Sequence, residues 1–263
     1  MNNSTNLRYE LLAKGIFAES IMPITDLNSL VNLIKPYKTD VELIRLGSDS
    51  DGGYLIPNDL KNIIACFSPG VDNIASFEQA LFANNIGSHL ADYSVDFVPN
   101  NIPVLSFEKK FIDSLTYEYN ISLEDWVNQY EPNSVENSLI LQMDIEGAEY
   151  KALLACPEYI LNKFKIIVIE FHQIESWAIK DFFYIVESVF KKLLKNHTVV
   201  HCHPNNAMGI VNMNGFKFPR VFEMTLYKSN LIKHKERALL PHPLDKANVD
   251  YFDELEFPDN WIY

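Results

Sequence analysis

The chain has 263 residues, 48% of them apolar and 22% charged, which suffices for a globular core in one large or two small domains and excludes a disordered chain. With 22 Lys and Arg against 35 Asp and Glu, the net charge is −13, so bulk charge does not hold this protein on nucleic acid or anionic lipid. Cys66, Cys156 and Cys202 are too few and too scattered for a disulfide framework or a closed zinc site. The N-terminus lacks a continuous apolar h-region, and no 18-residue apolar run occurs, so the expectation is a soluble, cytoplasmic protein without a membrane span. Neither GxGxxG nor GxxxxGK[ST] is present, which removes dinucleotide fingerprints and P-loops from consideration.

The first forty residues read as mostly helical, with Leu30, Val31, Leu33 and Ile34 at helical spacing and Pro36 as the stop. ELIRLGSDSDGGYLIP (42–57) places two short apolar stretches around a Ser/Asp/Gly turn, the pattern of a hairpin or strand–loop–strand. IIACF (63–67) is the next strand. A helix follows it, with Ser76 and Gln79 as a capping box and Phe77, Ala80 and Leu81 on its packed face. SHLADYSVD (88–96) supplies a strand ending near Asp92. LILQMD (139–144) supplies another and runs into a helix, EGAEYKALLA. KIIVIEF (165–171) has the unbroken β-branched character of a strand covered on both faces. Residues 177–195 carry one apolar stripe of Phe182, Val186, Val189, Phe190, Leu193 and Leu194. TVVHCH (198–203) and VFEMTLY (221–227) are two more strands, and the tail from Leu231 is irregular. Strands alternating with helices predict a mostly parallel α/β sheet.

In such a sheet, ligands bind beyond the carboxyl ends of the strands. Those ends carry Gly70 and Asp72, Asp92, Asp144 with Glu146, Glu170 with His172, and His203 with Asn205 and Asn206. Asp144 could equally cap the following helix, and Gly52 and Gly53 could do no more than supply a turn. Glu170 ends an apolar strand, where an unpaired charge is costly, so it requires a partner or a metal. His201 and His203 are read as facing opposite ways, with at most one reaching a site and His203 the nearer to the ligand end. His89, His197, His234 and His242 are read as structural, and Cys202 as a small buried hydrophobe.

LQMDIEGAEYKALL (141–154) resembles the signature of the FkbM-type S-adenosylmethionine-dependent methyltransferases, in which a strand runs into a D-[IV]-E-G-x-E segment. Other pieces agree in order: RLGSDSDGGYLIP, FSPGVDNIASFE, LADYSVD, ISLEDWV (121–127), VIEFH (168–172), HCHPNNA (201–207), FPRVFEMTLYKS (218–229) and LPHPLDKANVD (240–250). Together they cover roughly residues 42–250. The first turn departs from the pattern of many methyltransferases, holding only Gly70 where two or three glycines are common.

The resemblance implies a Rossmann-like class I methyltransferase sheet, mostly parallel with its last strand antiparallel. It divides the chain into a helical extension (1–41), a methyltransferase domain (42–230) and a C-terminal tail packed on that domain (231–263). It implies S-adenosylmethionine as cofactor, held by Gly52, Gly53, Gly70, Asp72, Glu78, Asp92 and Asp144, with Asp92 on the ribose hydroxyls and Asp72 or Glu78 on the methionine ammonium. The expected reaction is O-methylation of a carbohydrate, a sugar of a surface polysaccharide or of its nucleotide-linked precursor. A sugar hydroxyl is a poor nucleophile at neutral pH and needs a base or a metal. Asp144, His172 and His203 are the catalytic candidates. Glu146, His203, Asn205 and Asn206 are the candidates for holding the acceptor, and Asp144, Glu170 and His203 for holding Mg²⁺ or a similar divalent ion. A homodimer is left open. Two rival readings are a metal-dependent hydrolase using the clustered acids and a non-catalytic sugar- or nucleotide-binding module. Under the first of these, Gly70, Asp72 and Asp92 have no task.

Overall fold

The computed structural model describes residues 3–71, 75–99, 102–233 and 236–262, so Asp72 and His234 lie outside the described residues. Helices α1 (Asn3–Ala13) and α2 (Ile24–Ile34) lead into a two-stranded antiparallel hairpin, β1 (Leu43–Leu46) and β2 (Tyr54–Pro57). After them come β3 (Ala65–Pro69), α3 (Ser76–Ala83), β4 (Gly87–Ala91), β5 (Ser106–Glu108), β6 (Phe111–Asp113), β7 (Asn120–Ser122) and α4 (Leu123–Tyr130). The second half runs β8 (Leu139–Met143), α5 (Glu149–Ala155), α6 (Glu158–Leu161), β9 (Phe164–Phe171), α7 (Lys180–Leu193) and β10 (His197–Pro204). It closes with the hairpin β11 (Ile210–Met213) and β12 (Phe216–Pro219), then β13 (Phe222–Lys228) and the short α8 (Asp259–Ile262).

Seven strands form the central sheet in the order β5-β4-β3-β8-β9-β13-β10. The first five are parallel to one another, and β13 runs antiparallel to both β9 and β10. The protein is therefore a mixed α/β structure on a mostly parallel sheet. The sheet is buried on both faces, and all eight residues of β9 are buried, as continuous β-branched strands require. On one face Cys66, Ile140, Ile166, Val168 and Val200 pack against the β1–β2 hairpin and α3. The opposite face, with Phe67, Leu141, Ile167, Ile169 and Phe171, packs into the larger core with α4, α5 and α7. Burial of each such side chain contributes about 1.5–3 kcal/mol relative to exposure.

Three local expectations are corrected. Ser76 and Gln79 form no capping box: Ser76 lies inside α3, and its hydroxyl instead donates to the Gly52 carbonyl and accepts from the Ser48 N–H, tying the loop after β1 to the helix. The helix expected over 177–195 begins at Lys180, because Ile174–Ala178 form a 3₁₀ turn that buries Trp177 against Tyr150. Its buried stripe uses Phe183 in place of Phe182. Finally, β5, β6, β7 and the β11–β12 hairpin, all three or four residues long, went unread, since such stretches carry too few periods to show alternation.

Candidate active site at the carboxyl edge of the sheet

Parallel strands bring their carboxyl ends to one edge, and a cleft of about 370 Å³ opens there. Gly70, Ala91, Asp92 and Ser94 form one wall and Asp144, Ile145, Glu146, Ala148 and Lys151 the other, with Phe111, Ile112, Asp113 and Asn120 between them. Apolar atoms make the walls while a few carboxylates converge, the usual make-up of a small-molecule site. Of the residues expected around a cofactor, Gly70, Asp92 and Asp144 line this cleft, and Gly52, Gly53 and Glu78 do not.

Asp92 directly follows β4. Its carboxylate accepts hydrogen bonds from the Val71 N–H at 3.0 Å, the Ser94 N–H at 2.8 Å and the Ser94 hydroxyl at 2.7 Å. Those bonds hold the carboxylate in place at the cleft wall. Gly70 has φ +79°, and a Cβ there would stand 1.4 Å from the Asp144 carbonyl oxygen. The close approach of the two strand ends therefore requires glycine there. Gly52 and Gly53 build the tight loop after β1, where a Cβ on Gly53 would meet the Ser48 carbonyl oxygen at 1.9 Å. The Arg45 guanidinium donates to the Ser48 and Ser50 carbonyls of that loop. Glu78 is buried beneath it in a polar chain. The Ser68 hydroxyl bonds to Glu78 and lies 2.5 Å from the Gln142 amide oxygen, and the Gln142 amide donates to Tyr54.

Beyond the cleft the strand register assembles a row of acids on one face of the sheet. Glu170 of β9 is the direct partner of Glu223 on β13, and Glu223 is the direct partner of His203 on β10. Asp144 follows Met143, whose partner Ile169 precedes Glu170, so it continues the row. Glu170 accepts from the Asn205 amide at 2.7 Å and Glu223 from the Asn248 amide at 2.7 Å. Burial, then the charge of Glu223, pushes the Glu170 carboxyl up to about 8. Burial likewise raises Glu223 to about 8, against the pull of Asn248 and Arg45. Asp144 is raised well above the usual carboxylate range by burial and then by the charge of Glu170. The Tyr54 phenol, also buried, is raised by burial and by the same carboxylates. Unneutralised carboxylates this close repel one another, and a cationic ligand would relieve them.

His172 stands at the mouth of this row. Its Nδ1 lies 3.1 Å from Glu149 Oε1, and its Nε2 lies 3.7 Å from Asp144 and 3.6 Å from Glu146. Burial works against charge on the ring, but the Glu149 hydrogen bond and the charges of Glu149, Asp144 and Glu170 outweigh it and lift the imidazole to about 9. Glu149, fully buried, also accepts from the Ile145 and Gly147 N–H groups. It thereby fixes the turn after β8, in which Glu146 (φ +56°) and Gly147 (φ +102°) are both left-handed. Asp144 is not a helix cap, since α5 starts five residues later without a side-chain cap.

The other histidine readings need correction. His201 and His203 are two residues apart and share a face, as the two-residue period of a strand requires, not opposite faces. Both meet the C-terminal tail: His201 bonds Asp245 at 2.8 Å and His203 bonds Glu254 at 2.7 Å, with His203 only 3% exposed. Among the described residues, the groups able to converge on one ion are Asp144, Glu146 and His172. His203 falls outside that set, and so does Glu170. The amides of Asn205 and Asn206 are engaged within the protein. Asn205 holds Glu170 and the Ala207 N–H, and Asn206 clasps the tail through the Val249 and Phe252 carbonyls and the Val249 N–H. His89, His197 and His242 have protein partners in Ser106, Phe164 and Leu244.

The sequence reading gave no role to Glu149, Glu223, Tyr54 or Asn248. All four stand inside segments that carry the resemblance (45–57, 141–154, 218–229 and 240–250), which was the available signal.

The chain is thus an α/β protein with a mostly parallel sheet and a cleft at its carboxyl edge, walled in part by strand-end acids. Residues 99–198 match the family model described as "Methyltransferase FkbM domain", which bears out the resemblance seen in the sequence. The matched stretch contains β8, α5, β9 and α7, and with them Asp144, Glu146, Glu149, Glu170 and His172. No curated protein matches the chain. Among solved structures, one described as "Conversion of a Disulfide Bond into a Thioacetal Group during Echinomycin Biosynthesis" is similar at 9% identity. It covers 63% of this chain and 76% of that chain, with a TM-score of 0.34. No helix among the described residues is long and apolar enough to cross a membrane.

Proposed function

We propose that this protein is an S-adenosylmethionine-dependent O-methyltransferase acting on a carbohydrate hydroxyl, in a surface polysaccharide or its nucleotide-linked precursor. The observation that carries the reading is the cleft between Asp92 and Asp144, continuous with the segment that matches the methyltransferase domain. In this reading residues 42–230 form the transferase domain, with the helices before it and the tail after it as additions.

The cleft fits a nucleoside. Ala91, Ile112, Ile145 and Ala148 offer apolar surface to a base, and Asp113, held by Lys151 at 2.8 Å, offers a carboxylate at the rim. Asp92 suits vicinal ribose hydroxyls, which donate to an acceptor-only carboxylate. The acid row suits the positive end of the cofactor, beside Asp144. S-adenosylmethionine would supply a methyl carbon on a sulfonium, open to in-line attack by oxygen. Held there, it would give its methyl to the acceptor oxygen with the C–S electron pair left on sulfur, and the Asp144–His172 pair would be placed to take the hydroxyl proton. Glu149 keeps the imidazole facing Asp144. Alignment of the hydroxyl within about 3–3.5 Å of the carbon is where most of the acceleration would arise. His203, covered by Glu254, holds the tail in this scheme instead of serving as the base.

The test is transfer of label from methyl-labelled S-adenosylmethionine to a panel of nucleotide-sugars and hydroxylated glycans. Label on a sugar oxygen is the expected result. Hydrolysis of phosphate esters without cofactor would favour the hydrolase reading, and tight ligand binding without turnover would favour a binding module.

A further inference from the structure

We propose that Asp144, Glu146 and His172 form a divalent cation site at the acceptor side of the cleft, with Glu149 as the group that orients the histidine. This deepens the transferase reading: with an ion bound, Asp144 and His172 would hold it in place of taking the acceptor's proton, which the ion would make acidic enough to leave to water, and the test does not depend on turnover. The first observation is convergence: one ligand atom of each of the three side chains lies within 4.8 Å of the others. The second is the way His172 is held. Its Nδ1 meets the fully buried Glu149 at 3.1 Å, so Nε2 is the nitrogen presented to Asp144 and Glu146. A carboxylate fixing the far nitrogen of a histidine is the usual support for a metal-ligating imidazole.

The third observation is unsatisfied oxygen. Asp144 Oδ1, the atom facing His172 Nε2, is buried and has no hydrogen-bond partner. Buried carboxylate oxygens are normally satisfied, and a cation between Asp144 and His172 would satisfy this one. The turn that carries Glu146 is held in its left-handed conformation by the Glu149 bonds to the Ile145 and Gly147 N–H groups. One buried residue thus places two of the three donors. Two carboxylates and one imidazole suit Mn²⁺ or Mg²⁺, with water or an acceptor oxygen completing the shell.

The experiment titrates Mn²⁺ into the full chain and follows the free-ion electron paramagnetic resonance signal. One Mn²⁺ per chain is expected, displaced by excess Mg²⁺. Asp144→Asn and His172→Gln should each weaken binding at least tenfold, and Glu149→Gln about 10- to 100-fold, the size expected for an outer-shell partner. Circular dichroism identifies any variant that fails to fold. Glu146→Gln, on a side chain 87% exposed, should fold normally and still weaken binding. A folded wild type that binds no Mn²⁺ overturns the proposal. So does affinity unchanged in Glu146→Gln and His172→Gln, or lost in His203→Ala alone. If S-adenosylhomocysteine still binds in that case, only the metal site has failed. If Mn²⁺ binds and S-adenosylhomocysteine does not, the transferase reading has failed instead.

Discussion

Replacing Asp92 with alanine should weaken S-adenosylhomocysteine binding and destabilise the fold, and the structure separates the two effects. The side chain is 7% exposed, stands at the carboxyl end of β4, and accepts from the Val71 and Ser94 N–H groups. Hydrogen bonds to a charged acceptor are worth about 1.5–3 kcal/mol, so losing the ribose contact should raise the dissociation constant about 10- to 150-fold. Alanine also strands two backbone donors, at about 1–3 kcal/mol each where water cannot replace the carboxylate. A fall in melting temperature is therefore expected too, by about 2–4 °C per kcal/mol for a chain of this size. Ser94→Ala is the control, because it removes one donor at 2.7 Å and leaves the carboxylate on the wall. It should keep affinity within about threefold, under 1 kcal/mol. Calorimetric titration of the folded proteins decides the matter. Unchanged affinity in Asp92→Ala would remove that carboxylate from the cofactor site.

Gly70→Ala should destabilise the protein by more than about 3 kcal/mol even without ligand, because its Cβ would collide with the Asp144 carbonyl oxygen at 1.4 Å; a urea midpoint near wild type would contradict the close approach. His197 is buried neutral at a folded pKa of about 4, below its unfolded value of 6.5, so the unfolded chain binds the extra proton and stability falls as pH drops from 6.5 to about 4. At about 1.4 kcal/mol per unit the full effect is about 3 kcal/mol. His197→Gln should flatten this part of the stability profile relative to wild type, whereas parallel profiles would refute it. Asn206→Ala removes the bonds to the Val249 and Phe252 carbonyls and the Val249 N–H, so protease cleavage within residues 245–254 should accelerate while the rest of the chain stays resistant.

The sheet was legible because its strands are long, apolar and bounded by turns, and the strand ends could be read straight off them: Asp92, Asp144 and Glu170 all stand at the carboxyl edge. The row across β9, β13 and β10 was not legible, because it depends on antiparallel register. Glu223 becomes a partner of Glu170 and His203 only once β13 is inserted between β9 and β10. The tail was hidden for a different reason. His201 meets Asp245 and His203 meets Glu254 across 44 and 51 residues of chain, and no local pattern encodes such contacts. Glu149 was in plain view within the signature. Its role depends on a turn whose left-handed Glu146 folds the backbone N–H groups back onto it, and propensity does not predict a left-handed glutamate.

The central claim is that the cleft between β3, β4 and β8 holds the nucleoside of S-adenosylmethionine, and a crystal structure with S-adenosylhomocysteine tests it most directly. The account predicts the adenosine among Ala91, Ile112 and Ile145, its ribose hydroxyls on Asp92, and its sulfur directed toward Asp144 and His172. Density for the ligand anywhere else, or an empty cleft at saturating concentration, would contradict it.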